Sequence, residues 1–134
     1  MKAAQQNFRF DSRLCNVTDV AKAARRLCEE NAVCDAHAAA VELALVEAVN
    51  NAIEHGYQGE PGHELAVEVF LNDSAVHVTV SEQGIGMARE PSGELPPPDQ
   101  VNGRGWFLIR RCMDEVSYKS ERGINTVYMC RYLR

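Results

Sequence analysis

Aliphatic side chains recur at every second position in two stretches of the chain, Leu65–Leu71 and Ala75–Val80, with Ala66, Phe70 and Ala75 as further apolar residues, and these stretches predict two strands. Asn72, Asp73 and Ser74 between them supply the turn chemistry of a hairpin. Residues 7–11 alternate as well and predict a short first strand. A helical period follows: Val20, Ala23, Ala24 and Leu27 form one stripe of a helix capped by Asn16 or Thr18 and running to about Asn31. A longer helix is expected from Asp35, as its cap, to Gly56, a residue suited to the left-handed position after a helix. Its face of Val41, Leu45, Val46, Ala48, Val49, Ala52 and Ile53 is broad enough to pack on a sheet; Glu42 interrupts it without an evident partner. Residues 87–102 are polar and carry Pro91, Pro96, Pro97 and Pro98. Beyond them, Trp106 to Met113 predicts a short helix, and strands are expected at 116–120 and 125–133, joined near Gly123.

Strands linked at hairpin distance and helices enough to cover one side predict an α+β two-layer sandwich. The sheet is expected to be mixed but mostly antiparallel, covered on one face by about three helices. With 134 residues, the chain is expected to form a single domain. Composition adds two exclusions. A hydrophobic content of 46% rules out disorder, and no apolar run is long enough for a membrane span. Net charge is −5 with scattered basic residues, which argues against a direct nucleic-acid partner. The five cysteines are odd in number and none form a C-x-x-C pair, so reduced thiols are expected. No apolar stretch follows the N-terminal lysine, so no secretory signal is read and a cytoplasmic location is expected.

Candidate chemistry begins on the long helix. Glu47, Asn51 and His55 stand at i, i+4 and i+8 and stack in one line, flanked by Asn50 and Glu54. A solvated helix face explains such a line; so does a cleft wall in which Glu47 is a general base and Asn51 offers its carbonyl oxygen to magnesium, an ion that keeps several waters and needs few protein ligands. His55 serves either as a cap for the helix end or as part of the site. The strand ending at Val80 runs into Glu82-Gln-Gly84-Ile-Gly86, where two glycines let a flat ligand approach the main chain and Glu82 can accept from an exocyclic amine. A second cluster, Gly103-Arg104-Gly105, opens the short helix, where free amide N–H groups and a cation suit phosphate oxygens. Two glycine hinges bracketing a long proline-bearing loop are what a closing lid, about residues 87–102, requires.

Glu47-Ala-Val-Asn-Asn51-Ala-Ile-Glu-His55-Gly-Tyr57 and Gly103-Arg-Gly-Trp-Phe-Leu-Ile-Arg110, with Met113-Asp-Glu-Val116 after them, resemble the N box and second glycine box of the GHKL superfamily of ATP-binding proteins. Within it, the chain is most similar to the anti-sigma-factor serine kinases of bacterial partner-switching systems. The resemblance implies a histidine-kinase-like ATPase fold holding ATP and Mg2+. It implies Glu47 and Arg104 as catalytic residues, Asn51 as the magnesium ligand, and His55, Glu82, Gly84, Gly86, Gly103, Gly105 and Thr126 as nucleotide contacts. It further implies an anti-anti-sigma (STAS) protein as phosphorylation substrate, a captured sigma factor or equivalent regulator, and a homodimer. One departure stands out. The family's first glycine box opens with aspartate, and Glu82 is one methylene longer; a lost hydrogen bond there would cost about 1–3 kcal/mol. A non-catalytic regulatory module with weakened nucleotide binding is therefore the alternative. A histidine-kinase module is improbable, because too few residues precede the long helix for a dimerisation domain with an acceptor histidine.

Overall fold

The computed structural model describes residues 3–87, 94 and 104–134. The predicted lid falls almost wholly on 88–93 and 95–103, with the proline run and Gly103, and so lies outside the described residues apart from Met87 and Glu94.

Strand β1 (Ala4–Asp11) leads into α1 (Cys15–Glu30) and α2 (Asp35–Asn51), whose end widens into a π-helical turn, Ala52–Gly56. Then come β2 (Glu64–Leu71), β3 (Ala75–Glu82), α3 (Arg104–Cys112), β4 (Glu115–Glu121) and β5 (Ile124–Tyr132). The five strands form one sheet in the order β1-β2-β3-β5-β4. Among the described residues every pairing is antiparallel, with no parallel pair of the mixture expected, and the two-layer α+β class stands.

The alternation that predicted β2 and β3 is what builds the core. Leu65, Val67, Val69, Val76, Val78 and Val80 point to one face of the sheet and are buried against Ala24, Val41, Leu45, Ala48, Val49 and Ile53 of the helices. Both tight hairpins follow from local chemistry. Asn72 Oδ1 accepts the backbone N–H groups of Ser74 (2.8 Å) and Ala75 (3.0 Å), fixing the β2–β3 link. Between β4 and β5, Arg122 and Gly123 both take positive φ, 55° and 78°, as a two-residue turn matched to strand twist needs.

Three local expectations are corrected. Helix α1 begins at Cys15 with Leu14 at the cap position; Asn16 instead donates to the Asp11 carbonyl (3.0 Å), and Thr18 lies inside the helix. Asp35 is the first residue of α2, after Cys34 at the cap, and pairs with Arg25. Arg25 also meets Glu42 at 2.9 Å, so the charge that interrupts the α2 face joins α2 to α1. Gly56 is not left-handed; its lack of a side chain is required by a neighbour described below.

Candidate functional site

Helix α2 carries Glu47 and Asn51 one turn apart, and α3 packs against it at their level. A methyl group placed on Gly105, in the first turn of α3, would stand 3.1 Å from Glu47 Oε2, 3.1 Å from Asn51 Nδ2 and 3.2 Å from Asn51 Oδ1. The acid and the amide therefore converge on a glycine that exposes backbone, and the fully solvated helix face is excluded. Both residues are only partly exposed, and burial followed by the like charge of Glu54 pushes the Glu47 carboxyl above its ordinary value. Such a carboxylate is a better proton acceptor than a free one. The Asn51 Nδ2 atom is buried without a hydrogen-bond partner.

The π-helical turn brings Gly56 beneath the end of β3. Its carbonyl accepts the Ile85 N–H at 2.8 Å, and a methyl on Gly84 would come 1.9 Å from that same oxygen. A methyl on Gly56 itself would overlap Glu82 Oε2 at 1.6 Å, so Gly56 is small because a carboxylate lies on it. Tyr57 fixes this junction. Its hydroxyl donates to the Glu64 carbonyl (2.6 Å) and accepts the Gln83 N–H (2.8 Å).

Glu82 closes the wall. It is 6% exposed, and burial raises its carboxyl above the ordinary range, opposed by hydrogen bonds from the Asn125 side chain and the Gly84 backbone. Asn125 Nδ2 donates to Oε1, while Oε2 is buried with no partner. Glu82, Asn51, His55, Gly56, Ile85, Met87, Trp106 and Asn125 line one cleft whose open volume is about 40 Å³. That holds a water molecule or two and not a purine ring, so ligand entry requires the lining to part. Among the described residues no three His, Cys, Asp or Glu side chains cluster as a metal site, so a divalent ion here would be shared between Asn51 and a ligand's own oxygens.

Of the residues singled out in the sequence, Asn51 and Glu82 line this cleft, while Gly105 brings Glu47 alongside Asn51 and Gly84 packs on the lining residue Gly56. His55 lines the cleft from an exposed position. Gly86 sits where a methyl would come 2.7 Å from Asn125 Oδ1 and 2.7 Å from Ser120 Oγ. Arg104 opens α3 and is exposed; Gly103 lies outside the described residues. Thr126 is corrected: it hydrogen-bonds Ser81 (3.2 Å) on the opposite, helix-free face of the sheet, and its neighbour Asn125 faces the cleft instead. The period of two on β5, with Val127 and Met129 as inward positions, is the signal that could have found Asn125. Tyr57 and Trp106 are both buried, Trp106 with its side chain against the cleft.

Compared with known proteins, residues 10–131 match the histidine kinase-like ATPase domain. The chain is 34% identical over 100 residues to the anti-sigma F factor of Geobacillus sp. (strain WCH70), covering 69% of this chain and 68% of that one. It is 35% identical over 100 residues to the anti-sigma F factor of Oceanobacillus iheyensis, with the same coverage. Among solved structures, the RsbU and RsbW domains of a Mycobacterium tuberculosis protein superpose with a TM-score of 0.69 at 19% identity, over 98% of this chain and 33% of that chain, which supports the fold. No helix among the described residues is long and apolar enough to cross a membrane.

Proposed function

The chain belongs to the histidine kinase-like ATPase family, among its anti-sigma-factor members, and from that premise we propose that it is an ATP-dependent serine kinase that also captures a sigma factor or equivalent regulator. The observation that supports this most is the convergence of Glu47 and Asn51 on Gly105, beside a cleft whose far wall offers the unpartnered oxygen of Glu82. In this reading Glu82 accepts from the adenine amine, and the glycine-lined main chain admits the nucleotide closely. Asn51 contributes the one protein oxygen to magnesium, which would neutralise phosphate charge, and Arg104 adds a cation near the terminal phosphate. His55 shapes the open end. Glu47 takes the proton from a serine hydroxyl of an anti-anti-sigma (STAS) protein as the new O–P bond forms and the bond between the γ-phosphorus and the bridging oxygen breaks, releasing ADP. Phosphate on that serine adds charge to the contact between the two proteins and loosens it, freeing the kinase to hold the sigma factor. We place the protein in the cytoplasm, acting as a homodimer.

Incubation with Mg-ATP and the purified serine partner tests the reading. Transfer of one phosphate to the partner is expected, with Glu47→Ala slowing it at least about a hundredfold while nucleotide binding persists. Absence of transfer by the unaltered chain, with partner capture intact, would refute the kinase. It would favour the alternative, a non-catalytic regulatory module with weakened nucleotide binding, for which the small volume of the cleft, about 40 Å³, is the supporting observation.

A further inference from the structure

Only three polar or charged residues are fully buried among the described ones, and two of them, Glu82 and Asn125, face each other in the cleft. Asn125 is 4% exposed and uses its whole amide. One N–H of Nδ2 goes to Glu82 Oε1 and the other to the Gly84 carbonyl at 3.0 Å. Oδ1 accepts the Ser120 hydroxyl at 2.6 Å. Next to it, the Tyr118 hydroxyl accepts the Met87 N–H at 2.8 Å. The β4–β5 hairpin thus grips both the carboxylate of β3 and the backbone that leaves β3, through Tyr118, Ser120 and Asn125.

This arrangement treats the two carboxylate oxygens differently. Oε1 is held by an amide that cannot rotate without breaking its other two bonds. Oε2 is the single buried side-chain acceptor without a partner among the described residues, and it lies at the cleft wall over Gly56. A buried acceptor in that state selects a ligand bearing an N–H donor and rejects one offering a second acceptor or nothing. A glutamate has one more torsion than the aspartate it stands in for, so its free oxygen would otherwise wander.

We propose that Asn125 is a positioning residue for nucleobase recognition, locking the longer Glu82 side chain so that one oxygen presents a fixed acceptor to a six-amino purine. The inference rests on the reading that the cleft takes a purine nucleotide. Asn125 acts through Glu82 and needs no contact with the base.

The experiment measures binding of ATP, of purine riboside triphosphate (hydrogen in place of the amine) and of inosine triphosphate (carbonyl in its place). Calorimetry supplies the affinities, and Trp106, the only tryptophan, reports occupancy by fluorescence. The unaltered chain should prefer ATP over both analogues by roughly tenfold or more. In Asn125→Ala that preference should fall to about threefold or less while triphosphate binding persists. Asn125→Thr, β-branched and well tolerated on a strand, should lower it too and guards against a misfolded alanine variant. A role limited to holding the hairpin together would weaken all three ligands equally. An unchanged preference in both variants therefore overturns the proposal, as does an unaltered chain that binds all three triphosphates alike. If that chain binds none of them, the nucleotide reading itself fails and takes this one with it.

Discussion

Replacing Gly84 with alanine probes the closest approach to main-chain atoms among the described glycines. The new methyl would lie 1.9 Å from the Gly56 oxygen, 2.3 Å from its carbonyl carbon and 3.0 Å from its Cα. These are main-chain atoms at the end of the π-helical turn, held by Tyr57 on one side and Glu82 on the other, so no side chain can swing aside. Gly84 does not have positive φ, and the penalty is therefore steric and not conformational. Restoring contact distance forces the two segments apart by more than an ångström. That breaks the Ile85 N–H to Gly56 carbonyl bond, now 2.8 Å, at about 1 kcal/mol. Overpacking adds about 1–3 kcal/mol, for a total near 2–4 kcal/mol out of a stability on the order of 5–15 kcal/mol. For a chain of this size the melting temperature should drop by roughly 10 °C. Gly59→Ala is the contrast. Gly59 has φ 77° and nothing within 4 Å of a built methyl, so only the left-handed penalty of about 1–2 kcal/mol applies. Thermal unfolding followed by circular dichroism, with a nucleotide titration beside it, separates the two. Gly84→Ala should lose both stability and nucleotide binding, and Gly59→Ala only some stability. A Gly84→Ala protein that melts with the unaltered chain and binds nucleotide normally would refute the reasoning.

Two further expectations concern charge. Glu47 must be ionised to accept a proton, and burial with Glu54 nearby holds its carboxyl above the ordinary value, so transfer should rise with pH through that elevated value; Glu54→Gln should move the acidic limb of the kcat/KM profile slightly to lower pH, and the absence of any acidic limb in the unaltered chain would remove Glu47 as the base. Glu82 is also raised in the fold, so folding favours its protonated form; stability from this group is greatest below the unfolded carboxylate value and declines as pH rises through the folded one. Glu82→Gln should flatten that decline and raise the melting temperature at neutral pH while removing the preference for ATP, which paired melts at acidic and neutral pH will check.

Periodicity carried most of the fold to the reader of the sequence, because β2, β3 and the α2 core face are written in local spacing. What it missed depends on partners distant in sequence. Glu42 made sense only once Arg25 was brought beside it from α1. Gly56 has the residue type of a helix stop, yet its reason is a carboxylate on β3. The acid–amide pair of α2 was legible as an i, i+4 stack, but whether it faced water or a cleft depended on where α3 came to rest. Thr126 shows the cost of reading a strand one residue out of step: a resemblance pointed to the threonine, and the pleat of β5 turns Asn125 inward instead.

Because β4 lies at the edge of the sheet with β5 between it and β3, everything between Glu82 and Glu115 amounts to a detour that leaves the sheet on β3 and returns two strand positions away. Closure entropy grows only as the logarithm of such a detour, about 0.6 kcal/mol for each doubling. Residues added between Met87 and Arg104 should therefore be nearly free for the scaffold, which makes that stretch a natural graft point for an epitope tag or a fluorescent reporter.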